Sequence, residues 1–259
     1  MKNKGRLTGI LVFVALLLGV IYLSLFSNTE IKNSVEKIEL SGNYFLSKQE
    51  YFNFARLNKI SDYKFLTLPI IKSRLEKHPY VLKADVRFKG ENTVIINITE
   101  KKFEAILLNE SEQYLLSDNF LVIPVLPYTK NIDLPVISNL RLDKKVRGFD
   151  ILKNDDSKAA FRIIESAKLV NMNMYSNISD IDLRNGKDII LRLKGYDFQV
   201  ILGRGNEAAK VVYFDRIWNK INSINQPVNG FISYVDLRFD KLIYLGMVNL
   251  DSEVKGGQG

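Results

Sequence analysis

Few residues in this chain could do chemistry. None of the 259 residues is cysteine, and His78 is the single histidine. Thiolate nucleophiles, disulfides and thiolate zinc sites are excluded, and a histidine-centred triad has one possible base. Gly203-Arg204-Gly205-Asn206-Glu207-Ala208 has the G-x-G-x-x-A outline of a dinucleotide fingerprint, between a strand-like and a helix-like segment. The acidic residue that follows, Asp236, lies 33 positions on, whereas a ribose partner belongs about 20 on. A tight strand-to-helix turn is the simpler account of the glycines. Asp155/Asp156 and Asp180/Asp182 are the closest carboxylate pairs, and glycoside hydrolysis needs two such groups facing a sugar cleft. Asp155 and Asp156 precede a helical pattern and read as caps, while Asp180 and Asp182 alternate along a strand and read as its wet face. His78 stands beside Pro79 at a helix end without ligand-spaced neighbours, and reads as a residue interacting with the helix dipole. The expectation is no catalytic residue, no metal and no cofactor.

The elements that carry these residues begin with an anchor. Leu7–Phe26 is a run of twenty uncharged residues, about 30 Å long as a helix and so matched to a bilayer core. Lys2, Lys4 and Arg6 precede it and Glu30 is the first charge after it, which places the N-terminus in the cytoplasm. The run is long for a signal peptide, and Ser24-Leu25-Phe26-Ser27 lacks a small-x-small cleavage pattern. The expected organisation is a cytoplasmic tail 1–6, a transmembrane helix 7–26, a polar linker 27–34 and a large extracytoplasmic part. The net charge of +8 includes no block of like charges and no aromatic-basic repeat, so nucleic acid is not an expected partner.

Outside the membrane, 35–40 alternates as a strand and Ser41-Gly42-Asn43 is turn chemistry. Ser47-Lys48-Gln49-Glu50 is a capping box, and a second helix starts near Thr67 with Pro69 in its first turn. Residues 81–89 read as a strand with Leu82, Ala84, Val86 and Phe88 on one face, returning through 94–99. This is a β-α-α-β-β module over 35–101, its helices covering one face of a three-stranded sheet. Residues 102–250 read as a mostly antiparallel β domain with two helices, at 157–170 and 206–224, with a hairpin at Asn185-Gly186 and with last strands at 231–239 and 242–247. A Gly-rich tail, 251–259, ends the chain. The fold class is α+β.

In this order the segments resemble the FtsQ/DivIB family of bacterial cell-division proteins, over nearly the whole chain. Ile38-Glu39-Leu40-Ser41-Gly42-Asn43, and Leu75-Glu76-Lys77-His78-Pro79-Tyr80-Val81 running into Leu82-Lys83-Ala84-Asp85-Val86, are similar to a POTRA domain. Tyr114–Asp118, Leu134-Pro135-Val136-Ile137, Leu202-Gly203-Arg204-Gly205 and Tyr234-Val235-Asp236-Leu237-Arg238-Phe239 resemble segments of the family's β domain. Gly90 and Phe103 stand where the family tends to have proline, and the stretch after Phe239 lacks its usual glycine and later aromatic. The resemblance implies a non-enzymatic scaffold of the divisome, a single-pass protein of the inner membrane at the division septum. Its implied partners are FtsB- and FtsL-like proteins, which add a strand to the end of the β domain. Other membrane proteins of the complex are possible partners of the POTRA-like module. The implied contact residues are Arg238, paired with a partner carboxylate, and Phe239, an apolar anchor, with Tyr234 and Asp236 on the same closing strand. The alternative from another class is an anchored envelope enzyme acting on cell-wall glycan, with Asp180 and Asp182 in a deep cleft.

Overall fold

The uncharged N-terminal run is helical: α1 spans Lys4–Phe26. The structure, a computed structural model, describes residues 4–26, 35–59, 63, 66–223, 231–239 and 242–247, without the side chains of 4–8, 10, 23–26 and 221–223. Among the described residues no helix is long and apolar enough to cross a membrane. The side chains at both ends of α1 are undescribed, and its 23 helical residues are about 34 Å long. The expected linker 27–34 and tail 251–259 lie outside the described residues.

The first module is built from β1 (Lys37–Ser41), α2 (Lys48–Ala55), α3 (Leu68–Glu76), β2 (Val81–Lys89) and β3 (Thr93–Glu100). Ser47 caps α2 by accepting from the Glu50 N–H, and proline opens α3 in its first turn. The sheet order is β1-β3-β2, with β1 parallel and β2 antiparallel to β3. One expectation fails on β2. A bulge between Val81 and Lys83 shifts the register, so Val81 and Ala84 are buried while Leu82 is exposed. An extra residue flips the alternation up to that point.

The second unit is one nine-stranded sheet. Its strands are β4 (Phe103–Asn109), β5 (Glu112–Ser117), β6 (Val122–Pro124), β7 (Val136–Ser138), β8 (Ile178–Asp182), β9 (Ile190–Leu193), β10 (Gln199–Ile201), β11 (Ile232–Asp236) and β12 (Tyr244–Met247). The order is β12-β11-β10-β9-β8-β7-β4-β5-β6. The sheet is mixed, not mostly antiparallel: β4/β7, β7/β8 and β10/β11 are parallel pairs. For the β7/β8 and β10/β11 pairs the reason is connectivity. Helix α4 (Asp155–Val170), extended by the short α5 (Met172–Asn177), links β7 to its neighbour β8, and α6 (Glu207–Ser223) links β10 to β11. A helical crossover between adjacent strands makes them parallel. With α5 the unit has three described helices rather than the expected two. The Asn185-Gly186 hairpin is present as the β8/β9 pair, its turn closed by a single 3-10 turn over Arg184–Gly186.

Helices α4 and α6 pack together over one face of this sheet, on a core that includes Leu107, Ile163, Ile181, Leu191, Val200, Phe214 and Val235. At the β4–β6 end the other face is covered as well. Phe103, Leu115 and Ile123 join the core of the first module, beside Tyr51, Ile71, Leu75 and Tyr80. On β5, Tyr114 and Leu116 face the helices while Leu115 faces the module. Two-sided burial explains why Tyr114-Leu115-Leu116 is a continuous apolar run. The joint is also hydrogen-bonded. The Tyr80 hydroxyl accepts from the Leu126 N–H at 2.8 Å and lies 2.9 Å from the Thr129 hydroxyl. The Lys130 N–H donates to the Phe45 carbonyl at 2.8 Å, and the Asn131 amide donates to the Tyr44 carbonyl at 2.8 Å.

Candidate functional site: the closing edge of the sheet

Strand β11 follows α6 and pairs with β10 in register Gln199–Tyr234, Val200–Val235 and Ile201–Asp236. Val235 is buried under the helices, so Tyr234 points to the opposite face. Strand β12 turns back and pairs antiparallel, Tyr234 opposite Gly246 and Asp236 opposite Tyr244. A Cβ at Gly246 would stand 2.2 Å from the Tyr234 ring, so only glycine admits this aromatic lid.

Of the four residues expected here, the structure brings Asp236, Arg238 and Phe239 into one array. Asp236 is buried, and its carboxylate accepts from the Arg238 N–H at 3.0 Å and from the guanidinium at 2.7 to 3.1 Å. Arg238 reaches on to Asp188, before β9, at 2.9 Å. These bonds hold the Asp236 carboxyl below its usual range, and the Asp236 and Asp188 carboxylates raise the guanidinium pKa. Arg238 lies over the Phe239 ring at 5.9 Å, and Phe239 meets Tyr244 edge-on at 5.1 Å. Asp236 is thus a buried internal counter-ion, and much of Arg238's donor capacity is used inside the chain.

The Gly203-Arg204-Gly205 turn lies beneath this array. Gly203 has φ +66°, and a Cβ there would stand 2.8 Å from Arg238 Cγ. Arg204 pairs with buried Asp156 at 2.7 Å and donates to the Lys187 and Leu183 carbonyls at 2.6 and 3.0 Å. Glu207 accepts from the Gly205 N–H at 2.9 Å and pairs with Arg162 at 3.1 Å. The N–H that a pyrophosphate would need is taken by the chain's own carboxylate, and the turn ties β10, α4 and Arg238 together.

The remaining chemical candidates are also internally committed. Asp156 does not cap α4; Asn154 does, in a capping box with Ser157. Asp180 and Asp182 both pair with Arg192, Asp182 at 3.2 Å, and accept from Ser138 at 2.7 Å and Asn139 at 2.8 Å respectively. Burial raises the Asp180 carboxyl; for Asp182 burial pulls upward, but Asn139, the Arg184 N–H and Arg192 hold it low. His78 is not a dipole partner. It is buried and its Nδ1 accepts from the Tyr80 N–H at 3.1 Å, while burial and then Lys101 push its pKa down to about 4. Among the described residues no three metal-ligating side chains converge.

The sequence places the last strands at 231–239 and 242–247, and the second of them is β12; the expected contact residues, however, all lie on the first, and none on β12. Tyr244, Leu245 and Met247 are exposed on it by 50, 46 and 67%, beside exposed Leu242 and Phe239. Among the described residues no strand pairs with the outer edge of β12. The signal was the apolar density of Leu242-Ile243-Tyr244-Leu245 in a strand with no following partner.

The architecture is a three-stranded helix-covered module docked on a mixed sheet whose last strand is open and apolar. Residues 33–101 match the family model "POTRA domain, FtsQ-type" and residues 105–238 match "Cell division protein FtsQ/DivIB, C-terminal". The chain belongs to the FtsQ/DivIB family of cell-division proteins. It is similar to cell division protein FtsQ of Geotalea daltonii, 25% identical over 81% of this chain and 74% of that protein. It is also similar to cell division protein DivIB of Clostridium acetobutylicum, 23% identical over 80% of each chain. DivIB of Clostridium tetani is 19% identical over 68% of this chain and 66% of its own length.

Proposed function

We propose that this chain is a non-enzymatic scaffold of the division complex that binds FtsB- and FtsL-like partners by strand addition at β12. Residues 1–6 are the cytoplasmic tail, 7–26 of α1 span the inner membrane, 27–34 are the linker, and 35–101 and 102–250 lie outside with the tail 251–259. The observation that carries the reading is the open edge of β12 with its exposed apolar side chains. Unpaired backbone N–H and C=O groups there are satisfied by an added strand, and Phe239, Tyr244, Leu245 and Met247 offer apolar anchors beside it. Tyr234 supports β12 from beneath. Arg238 presents its remaining donors to a partner carboxylate from a position fixed by Asp236 and Asp188.

The test is titration of the full-length protein with the extracytoplasmic segment of its FtsB-like partner, followed by calorimetry. Phe239→Ala and Leu245→Lys should each weaken binding about tenfold or more, Arg238→Glu should weaken it too, and Ile151→Lys, on the far side of the sheet, should not. Binding that is indifferent to all three edge variants would move the interface off β12. Protease added outside the cytoplasmic membrane should digest the bulk of the chain, and complete protection would sink the topology.

A further inference from the structure

A second feature lies away from the closing edge. A cleft of about 410 Å³ opens between the α4–α5 junction, the β9–β10 turn and α6, within the size range of small-ligand sites. Its polar wall is Asn171, Asn173, Ser176, Asn177 and Asn219, and its aromatic wall is Tyr196 and Trp218. None of these residues is charged, although 25% of the chain is.

The amides are sorted by their bonds. Asn171 is a fixed floor: its carbonyl oxygen caps α5 by accepting from the Asn173 and Met174 N–H groups, and its amide donates to Asp215 at 2.8 Å. Asp215 also accepts from the Asn219 amide at 3.3 Å, which turns the Asn219 carbonyl oxygen away from it as a free acceptor. Among the described residues the side chains of Asn173 and Asn177 make no hydrogen bond. Trp218 is 96% buried and its indole N–H meets no acceptor among the described residues. No buried side-chain polar atom lacks a partner, so that N–H is the part of Trp218 that reaches the cleft. The Tyr196 and Trp218 rings meet at 62° with centroids 4.4 Å apart, so the partly exposed Tyr196 ring is held in place by the buried indole.

We propose that this cleft binds a neutral N-acetylated saccharide. A charged ligand would find no counter-ion among the lining residues. Asparagine amides donate and accept at once, which suits hydroxyl and acetamido groups that do the same. The indole N–H can donate to an acetamido C=O and the Asn219 carbonyl can accept from its N–H, and the apolar face of a sugar ring fits against the partly exposed Tyr196 ring. A pyranose chair presents a face of C–H groups to an aromatic ring, which an extended peptide backbone does not, and this favours the saccharide.

Trp218 is the only tryptophan, so its emission reports directly on the cleft. Full-length protein titrated with tri-N-acetylchitotriose should show a saturable emission change with a Kd of about 1 mM or tighter. Asn173→Ala and Asn177→Ala, whose side chains hold nothing in the fold, should each weaken it about fivefold. Cellotriose, which lacks the acetamido groups, should give no saturable change. The proposal is overturned by the absence of saturation up to about 10 mM, by variants that bind like the wild type, or by an uncharged acetylated tripeptide that binds as well as the saccharide.

Discussion

Protonating His78 should destabilise this protein through its POTRA module. The imidazole is 97% buried between the Tyr51, Phe54 and Tyr80 rings, at centroid distances of 4.6, 4.7 and 5.6 Å. Its Nδ1 is an acceptor, so the neutral form is the one the fold uses. The folded pKa is about 4 against 6.5 for the free side chain. Above pH 6.5 both states hold a neutral imidazole and nothing is lost. As the pH falls below 6.5 the unfolded chain binds the proton first, and stability declines until the folded pKa is passed. The full loss is about 3 kcal/mol, of which about 2 kcal/mol has gone by pH 5. That is a large share of a typical folding free energy. His78→Asn is the matched control, since its Oδ1 can accept from the Tyr80 N–H as an Asx turn and cannot titrate. Urea unfolding of both proteins, followed by circular dichroism at pH 7.5 and pH 5, separates this term from carboxylate titrations common to both. The wild type should lose about 2 kcal/mol more than the variant over that interval. Equal losses would refute the assignment of a buried neutral imidazole.

Other outcomes follow from the same packing. Tyr80→Phe strands the Leu126 N–H and removes the Thr129 contact; it should cost about 1–3 kcal/mol and split one calorimetric unfolding transition into two. Gly203→Ala puts a Cβ 2.8 Å from Arg238 Cγ at φ +66°, and should cost about 1–2 kcal/mol by thermal unfolding while also weakening partner binding in the calorimetric titration. Arg204→Leu leaves the buried Asp156 carboxylate without its ion pair, and should cost about 2 kcal/mol, a loss that a second change, Asp156→Asn, partly restores. Gly246→Val meets the Tyr234 ring at 2.2 Å and should detach β12, seen as faster amide exchange over 244–247 without loss of the main core.

The first module was largely legible because its signals are local. Ser47 and Glu50, Thr67 and Pro69, and the Gly90 turn each act within a few residues. Leu82 misled because a bulge is set by both strands of a pair, and one strand alone gives no sign of it. The parallel pairs were missed for a different reason: strong hairpin signals at Asn185-Gly186 outweighed the strand–helix–strand order around α4 and α6. At the candidate site, Phe239 and Tyr234 could be placed from the closing strand. The roles of Arg204 and Arg238 could not, since Arg204 meets a partner 48 residues away and Arg238 one 50 residues away. His78 looked like a helix-end cation because its three aromatic neighbours come from separate elements.

The joint at β4–β6 also sets a geometry. Eight inter-strand steps separate β6 from β12, about 38 Å measured across the sheet at ~4.8 Å per step. The POTRA unit grips one end of that span through a shared core, with no flexible tether between them. The sheet is therefore a cantilever, clamped at β6 and free at β12. A partner strand, if added at the free end as proposed, would be delivered at a fixed reach and bearing from the clamp, and any load it carried would be transmitted to Tyr80, Phe103 and Ile123 rather than lost in a hinge.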